Sequence, residues 1–333
     1  MKAESKAFSI KIAGYLISLL FLYLTFKDID FEKALSYLYV TNYYYLIAAV
    51  GFNICFFITR SFYQINNLYF ISNKLKFIES LTSIGIAQFY NVIFPARMGE
   101  LIRTYFLSKL NGIKKATVLS YILVEKVIDV LLIMTLLLVI IVFLVQGKIQ
   151  LFNTLSYLVG ILSLIIVVMF LYIRFNKNMI LILKMIIPKK IYRKFDLLNE
   201  EIFTGLHFFK LKIQIIKSIL LLLLSWICIL AIFGLVSYPF VELLDLPLYS
   251  CLVFMVFSAL SLSIPSAPAG IGVVHYSLFL AVTMLGGKIV ETQTDIVAAF
   301  VISTHFFVIL LDVLVGGSIM IFYKINYKKA YSE

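Results

Sequence analysis

The sequence predicts an all-α polytopic membrane protein, with about six full transmembrane helices and two broken re-entrant helical hairpins, and three observations carry that expectation. Of 333 residues, 62% are hydrophobic and only 14% charged, a balance far outside that of a soluble domain. Apolar runs long enough to cross a hydrocarbon core recur along the whole chain. Two further apolar stretches are interrupted in the middle by proline and glycine.

Full spans are expected at 8–26, 43–63, 116–146, 155–174, 213–235 and 296–322. The first is read as an uncleaved anchor, because "LYLTFKDID" after the apolar run offers no small-residue cleavage site. The two interrupted stretches are 78–110, cut by "PARMG", and 248–286, cut by "PSAPAG". The breaks fall at Pro95 and Gly99 in the first, and at Pro265, Pro268, Gly270 and Gly272 in the second. Each half is too short to cross alone, so each stretch is expected to form a hairpin whose exposed backbone is shielded by protein or water.

Charge sets the orientation. Entering the first hairpin from the cytoplasm keeps Lys74, Lys76, Lys109, Lys114 and Lys115 inside, together with the basic loop 175–212. That agrees with the positive-inside rule and places both termini in the cytoplasm of a multi-pass cell-membrane protein. The net charge of +12 is then a topological signal. No soluble basic domain exists to bind nucleic acid. The loop 175–212 alternates apolar and basic residues, as suits either a helix lying on an anionic leaflet or a simple tether.

The order span, span, hairpin, span occurs twice, at 8–146 and 155–322, and three crossings in the first unit invert the second. We therefore expect one integral membrane domain over 1–333 built as an inverted repeat. "PARMG" at 95 matches "PAGIG" at 268, and "ATVLSYILVEKVIDVL" at 116 matches "AFVISTHFFVILLDVL" at 299, pairing Ser120 with Ser303 and Asp129 with Asp312. Broken helices between inverted repeats are the plan of alternating-access carriers, with substrate held between the tips.

Ionisable groups inside a membrane cost about 2.5–3.5 kcal/mol each and mark either a site or an internal pair. Arg97, Glu100 and Arg103 crowd the first break, and Glu125, Lys126 and Asp129 follow on the next span. Two readings stay open. Arg97 and Arg103 can cradle a phosphate at a helix start, or the carboxylates can neutralise the cations and lock the hairpin. Asp129, Asp312, His275 and His305 are candidates for ion coupling or for structural hydrogen bonds at helix crossings. Cys55, Cys228 and Cys251 lack paired spacing, so neither metal nor disulfide is expected. No glycine-rich nucleotide loop is present, so no cofactor is expected.

The motifs "FPARMGELIRTYFLSKLNGIKKA", "VEKVIDVLLIM" and "PSAPAGIGVVHYSLFLAV" resemble the flippase-like transmembrane domain of lysylphosphatidylglycerol synthases, the multiple peptide resistance factors. The resemblance implies movement of lipids, notably aminoacylated phosphatidylglycerol, between leaflets. The intramembrane charges give the candidate substrate site, with Arg97 and Arg103 on the phosphate and Glu100, Glu125 and Lys126 as the surrounding charge network. Two departures stand out: Lys126 replaces the family's common arginine, and His275 replaces an acidic residue. The aminoacyl-transferring domain of true synthases does not follow, so the expectation is a transporter and not an enzyme. Expected partners are membrane lipids, either an anionic phospholipid or a polyprenyl-phosphate-linked headgroup, and a homo-oligomer is compatible. The alternatives are a small-solute or ion transporter, or a non-transporting partner of a lipid- or glycan-modifying enzyme.

Overall fold

The computed structural model describes residues 16–27, 29–37, 43–69, 71–72, 74–144, 212–264, 266–286 and 294–331, with isolated positions at 160, 164 and 167. The expected span 155–174 and the loop 175–212 lie almost wholly outside the described residues, as does Pro265.

The described chain is helical. Helix α1 covers Leu16–Phe26, α2 Phe31–Ser36, α3 Tyr43–Leu68, α4 Phe77–Ile93, α5 Gly99–Asn111 and α6 Lys115–Leu144. After the undescribed stretch come α7 Lys212–Leu243, α8 Ser250–Ser261, α9 Val273–Gly286 and α10 Thr294–Tyr331. Four segments are long and apolar enough to cross a membrane: Tyr43–Leu68, Lys212–Leu243, Pro268–Gly286 and Thr294–Lys324. At about 1.5 Å per residue, the 30-residue α6 is also long enough. The expected spans are thus present where described, with α7 and α10 running past their predicted C-terminal ends. The sequence reading did not foresee α2, which Asp30 caps by accepting the N–H groups of Glu32 and Lys33 at 3.1 and 3.3 Å.

Both interruptions occur where proline and glycine place them. Phe94 is extended, as a residue before proline prefers, and Pro95 opens a single 3₁₀ turn, Pro95–Arg97, that ends α4 and leads into α5. A second 3₁₀ turn, Pro268–Gly270, divides α8 from α9. Helices α4 and α5 pack against each other, α8 and α9 do likewise, and the two 3₁₀ tips touch. Backbone reversal at each tip uses the left-handed region: Arg97 has φ 53°, Ala269 57°, Gly270 72° and Gly272 88°.

Close backbone approach fixes other glycines. A Cβ on Gly99 would fall on the carbonyl oxygen of Ala87, and one on Gly272 on that of Ser18. Helices α4 and α10 cross at Gly85 and Gly316, where a Cβ on either would lie 3.1 Å from the other's carbonyl oxygen. Small residues at a crossing let two membrane helices pack backbone to backbone. A large apolar core, including Phe240, Phe254 and Phe300, ties α6 through α10 together.

A charged cavity beneath the first broken helix

Between the two tips lies a cavity of about 510 Å³, walled by α3, α4, α6, α7, α8 and α10. Apolar side chains such as Phe56, Ile133, Phe233 and Val308 line part of it, and charged groups line the rest.

The paired charges come from three elements, α3, α5 and α6, and each is placed by local structure; Arg97 at the first tip and Asp312 on α10 complete the set. Helix α3 carries a polar stripe, Asn53, Arg60, Gln64 and Asn67, at helical spacing, and all four are buried. Helix α5 supplies Glu100 and Arg103 in its first turns. Helix α6 contributes Glu125, Lys126 and Asp129. The result is a network of close pairs. Arg103, 1% exposed, donates Nε to Gln64 Oε1 at 3.0 Å and Nη1 to Glu100 and Glu125 at 3.3 and 3.1 Å. Its Nη2 donates to Glu125 Oε2 at 3.0 Å and again to Gln64. All five of its donors are used. Tyr121 donates its hydroxyl to Glu125 at 2.7 Å, and Lys126 reaches Glu100 at 2.9 Å. Arg60 pairs with Asp129 at 2.6 Å, and Trp226 Nε1 donates to the same carboxylate oxygen at 3.0 Å.

The geometry separates the two arginines, which the sequence left open as a phosphate cradle or a lock on the hairpin. Six residues separate Arg97 from Arg103, but the first precedes α5 and the second lies inside it, and Arg103 has no donor left for a ligand. Arg97 differs in every respect. It is exposed to the cavity and makes no hydrogen bond or contact ion pair among the described residues. Asp129 is not a free carboxylate either, because Arg60 and Trp226 hold it. Among the described residues Asp312 is bound only by Asn53 Nδ2, at 3.1 Å.

The two histidines form a directed chain at the second tip. Gly272 N–H donates to His275 Nδ1 at 3.1 Å, so a neutral His275 carries its proton on Nε2. That nitrogen lies 3.2 Å from His305 Nδ1, and His305 Nε2 lies 3.0 Å from the Ala269 carbonyl, which can only accept. One proton per ring satisfies every link. The chain ties the Pro268–Gly270 turn to α10, and no group of three metal-ligating side chains occurs among the described residues.

Sequence reasoning missed Arg60, Gln64, Asn53 and Trp226. A lone arginine in the apolar run of α3, on one face with Asn53, Gln64 and Asn67, was the available signal, since such a charge requires a partner.

The family described as "Lysylphosphatidylglycerol synthase TM region" matches residues 11–316. No curated protein and no solved structure matches the chain.

Proposed function

Because the chain belongs to the family of the lysylphosphatidylglycerol synthase transmembrane region, we propose that it is a flippase-like transporter that moves a phosphate-bearing lipid between leaflets. At a coarser level, it is a multi-pass membrane protein of a family tied to lipid modification or transport.

The observation that carries the reading is Arg97: a cation without a contact partner among the described residues, facing a cavity between two broken helices, on a backbone held at φ 53°. Such a conformation costs a non-glycine residue roughly 1–3 kcal/mol and persists where the surroundings impose it. In the matched motif "PAGIG" the same place is Gly270, at φ 72° with no side chain to strain. Both tips carry one strained non-glycine residue, Arg97 in the first and Ala269 at φ 57° in the second, but only the first places a charged side chain at that position, a guanidinium facing the cavity. A guanidinium bonds two phosphate oxygens through its fixed fork and stays charged when desolvated.

The inverted-repeat reading, 8–146 against 155–322, belongs to the same proposal. It is supported by the touching tips, the shared left-handed turn, and Ser120 and Ser303. Each of these hydroxyls donates to the carbonyl four residues back, Ala116 at 2.7 Å and Ala299 at 2.6 Å. We place both termini in the cytoplasm on the basic residues that flank the first and last spans.

Reconstituted vesicles carrying a fluorescent phospholipid test the function. Arg97→Lys keeps the charge but loses the fork, so translocation per folded molecule should fall about tenfold, the scale of one good charge-assisted hydrogen bond. Wild-type rates in that variant would remove the phosphate role from Arg97.

A further inference from the structure

The cavity's charges cancel in pairs, with two exceptions. Eight charged side chains line it: Arg60, Arg97, Arg103 and Lys126 against Glu100, Glu125, Asp129 and Asp312. Arg60 pairs with Asp129, Arg103 with Glu125 and Lys126 with Glu100. What remains is one cation, Arg97, and one carboxylate, Asp312. In access, Arg97 is exposed and Asp312 half-buried, as Glu100 and Lys126 are, whereas Arg60, Arg103, Glu125 and Asp129 are buried. Asp312 lies within electrostatic reach of Arg97, ranking behind Glu100 and Asp129, and the two make no contact among the described residues. Asn53, itself buried, fixes the Asp312 carboxylate by donating Nδ2 to one of its oxygens. Opposite unpaired charges facing one low-dielectric cavity attract a guest whose own charges are reversed in order.

Resting on the translocation reading, we propose that Arg97 and Asp312 are the two poles of a headgroup site, Arg97 for the phosphate and Asp312 for a primary ammonium. The substrate class is then a zwitterionic phospholipid with one ammonium per phosphate, of the phosphatidylethanolamine type. A purely anionic headgroup satisfies Arg97 but adds charge beside Asp312. A lysyl ester brings a second ammonium for which the cavity holds no unpaired carboxylate. A one-to-one headgroup leaves every charge matched, and a primary ammonium can also donate a hydrogen bond to Asp312, which the quaternary ammonium of phosphatidylcholine cannot; this replaces the anionic phospholipid that the sequence suggested.

The test uses the full chain in phosphatidylcholine vesicles containing a trace of fluorescent phosphatidylethanolamine, of its N-acetyl derivative, which lacks the ammonium, or of lysylphosphatidylglycerol. Wild type should move phosphatidylethanolamine at least tenfold faster than the N-acetyl lipid and faster than the lysyl lipid. Asp312→Asn should collapse that ratio toward 1. Should Asp312→Asn insert poorly, Asp312→Glu, which keeps the charge, must retain the preference. Movement of all three lipids without discrimination would overturn the two-pole site while leaving translocation intact. An equal loss of every lipid in Asp312→Asn, with wild-type rates that follow a sodium or proton gradient, would make Asp312 an ion-coupling group and overturn it too. If wild type moves no lipid, the translocation reading itself fails, and this inference with it.

Discussion

Replacing Arg97 with glycine should raise stability and abolish transport together. The φ of 53° at this position costs an L-residue with a side chain about 1–2 kcal/mol, and glycine adopts it freely, as Gly270 does at the matched turn. Glycine's greater freedom in the unfolded chain returns roughly 0.5–1 kcal/mol of that gain. Arg97 makes no hydrogen bond or contact ion pair among the described residues, so little direct bonding is lost. The net expectation for Arg97→Gly is about 1 kcal/mol of added stability, or roughly a fivefold shift in the folded-to-unfolded ratio. Denaturant titration of the detergent-solubilised protein reads the first effect, and lipid translocation in vesicles reads the second. If Arg97→Gly is less stable than wild type by 1 kcal/mol or more, the guanidinium holds the tip together and the strain argument is wrong. If it is stable and still translocates at the wild-type rate, Arg97 has no role in substrate handling.

Arg103→Leu should behave in the opposite way, losing about 3–5 kcal/mol because Glu125 and Gln64 are left buried without their partner. Folded yield checks it, and a well-folded Arg103→Leu protein would show that the pair contributes little. Gly99→Ala and Gly272→Ala should both fail to fold, since each methyl group would meet a backbone carbonyl oxygen, whereas Gly51→Ala, with nothing within 4 Å, should gain roughly 0.5–1 kcal/mol. Chromatographic monodispersity and thermal melting of the three variants separate these outcomes. Finally, cysteines introduced near residue 2 or residue 329 should react only with membrane-permeant reagents in intact cells, and labelling of either by an impermeant reagent would reverse the assigned topology.

The broken helices were legible because proline and glycine act locally: the ring at Pro95 and the freedom of Gly270 shape the chain whatever surrounds them. The presence of a charged centre was legible too, since charges inside apolar runs are rare. Their division of labour was not. Arg97 and Arg103 read alike in sequence, yet one is enclosed by Gln64 and two glutamates while the other faces open space. Partner choice depends on how α3, α5 and α6 pack, and the direction of Arg97 on a positive φ that no residue pattern announces for arginine. Asp129 and Asp312 align in sequence and both reach the cavity, but Asp129 is paired by Arg60 while Asp312 is bound by Asn53, two turns earlier on the same helix.

The crossing of α4 and α10 at Gly85 and Gly316 has a mechanical meaning. The two helices pack closely along this interface, and sliding one past the other would drive neighbouring side chains into the gap that glycine leaves open. Helix α4 leads to the first tip, twelve residues beyond Gly85, and α10 bears Asp312 about one turn from Gly316, so any pivot at this crossing would move the tip much further than Asp312. Spin labels at the ends of α4 and α10 should show distances that change during turnover, while labels flanking Gly85 and Gly316 hold theirs.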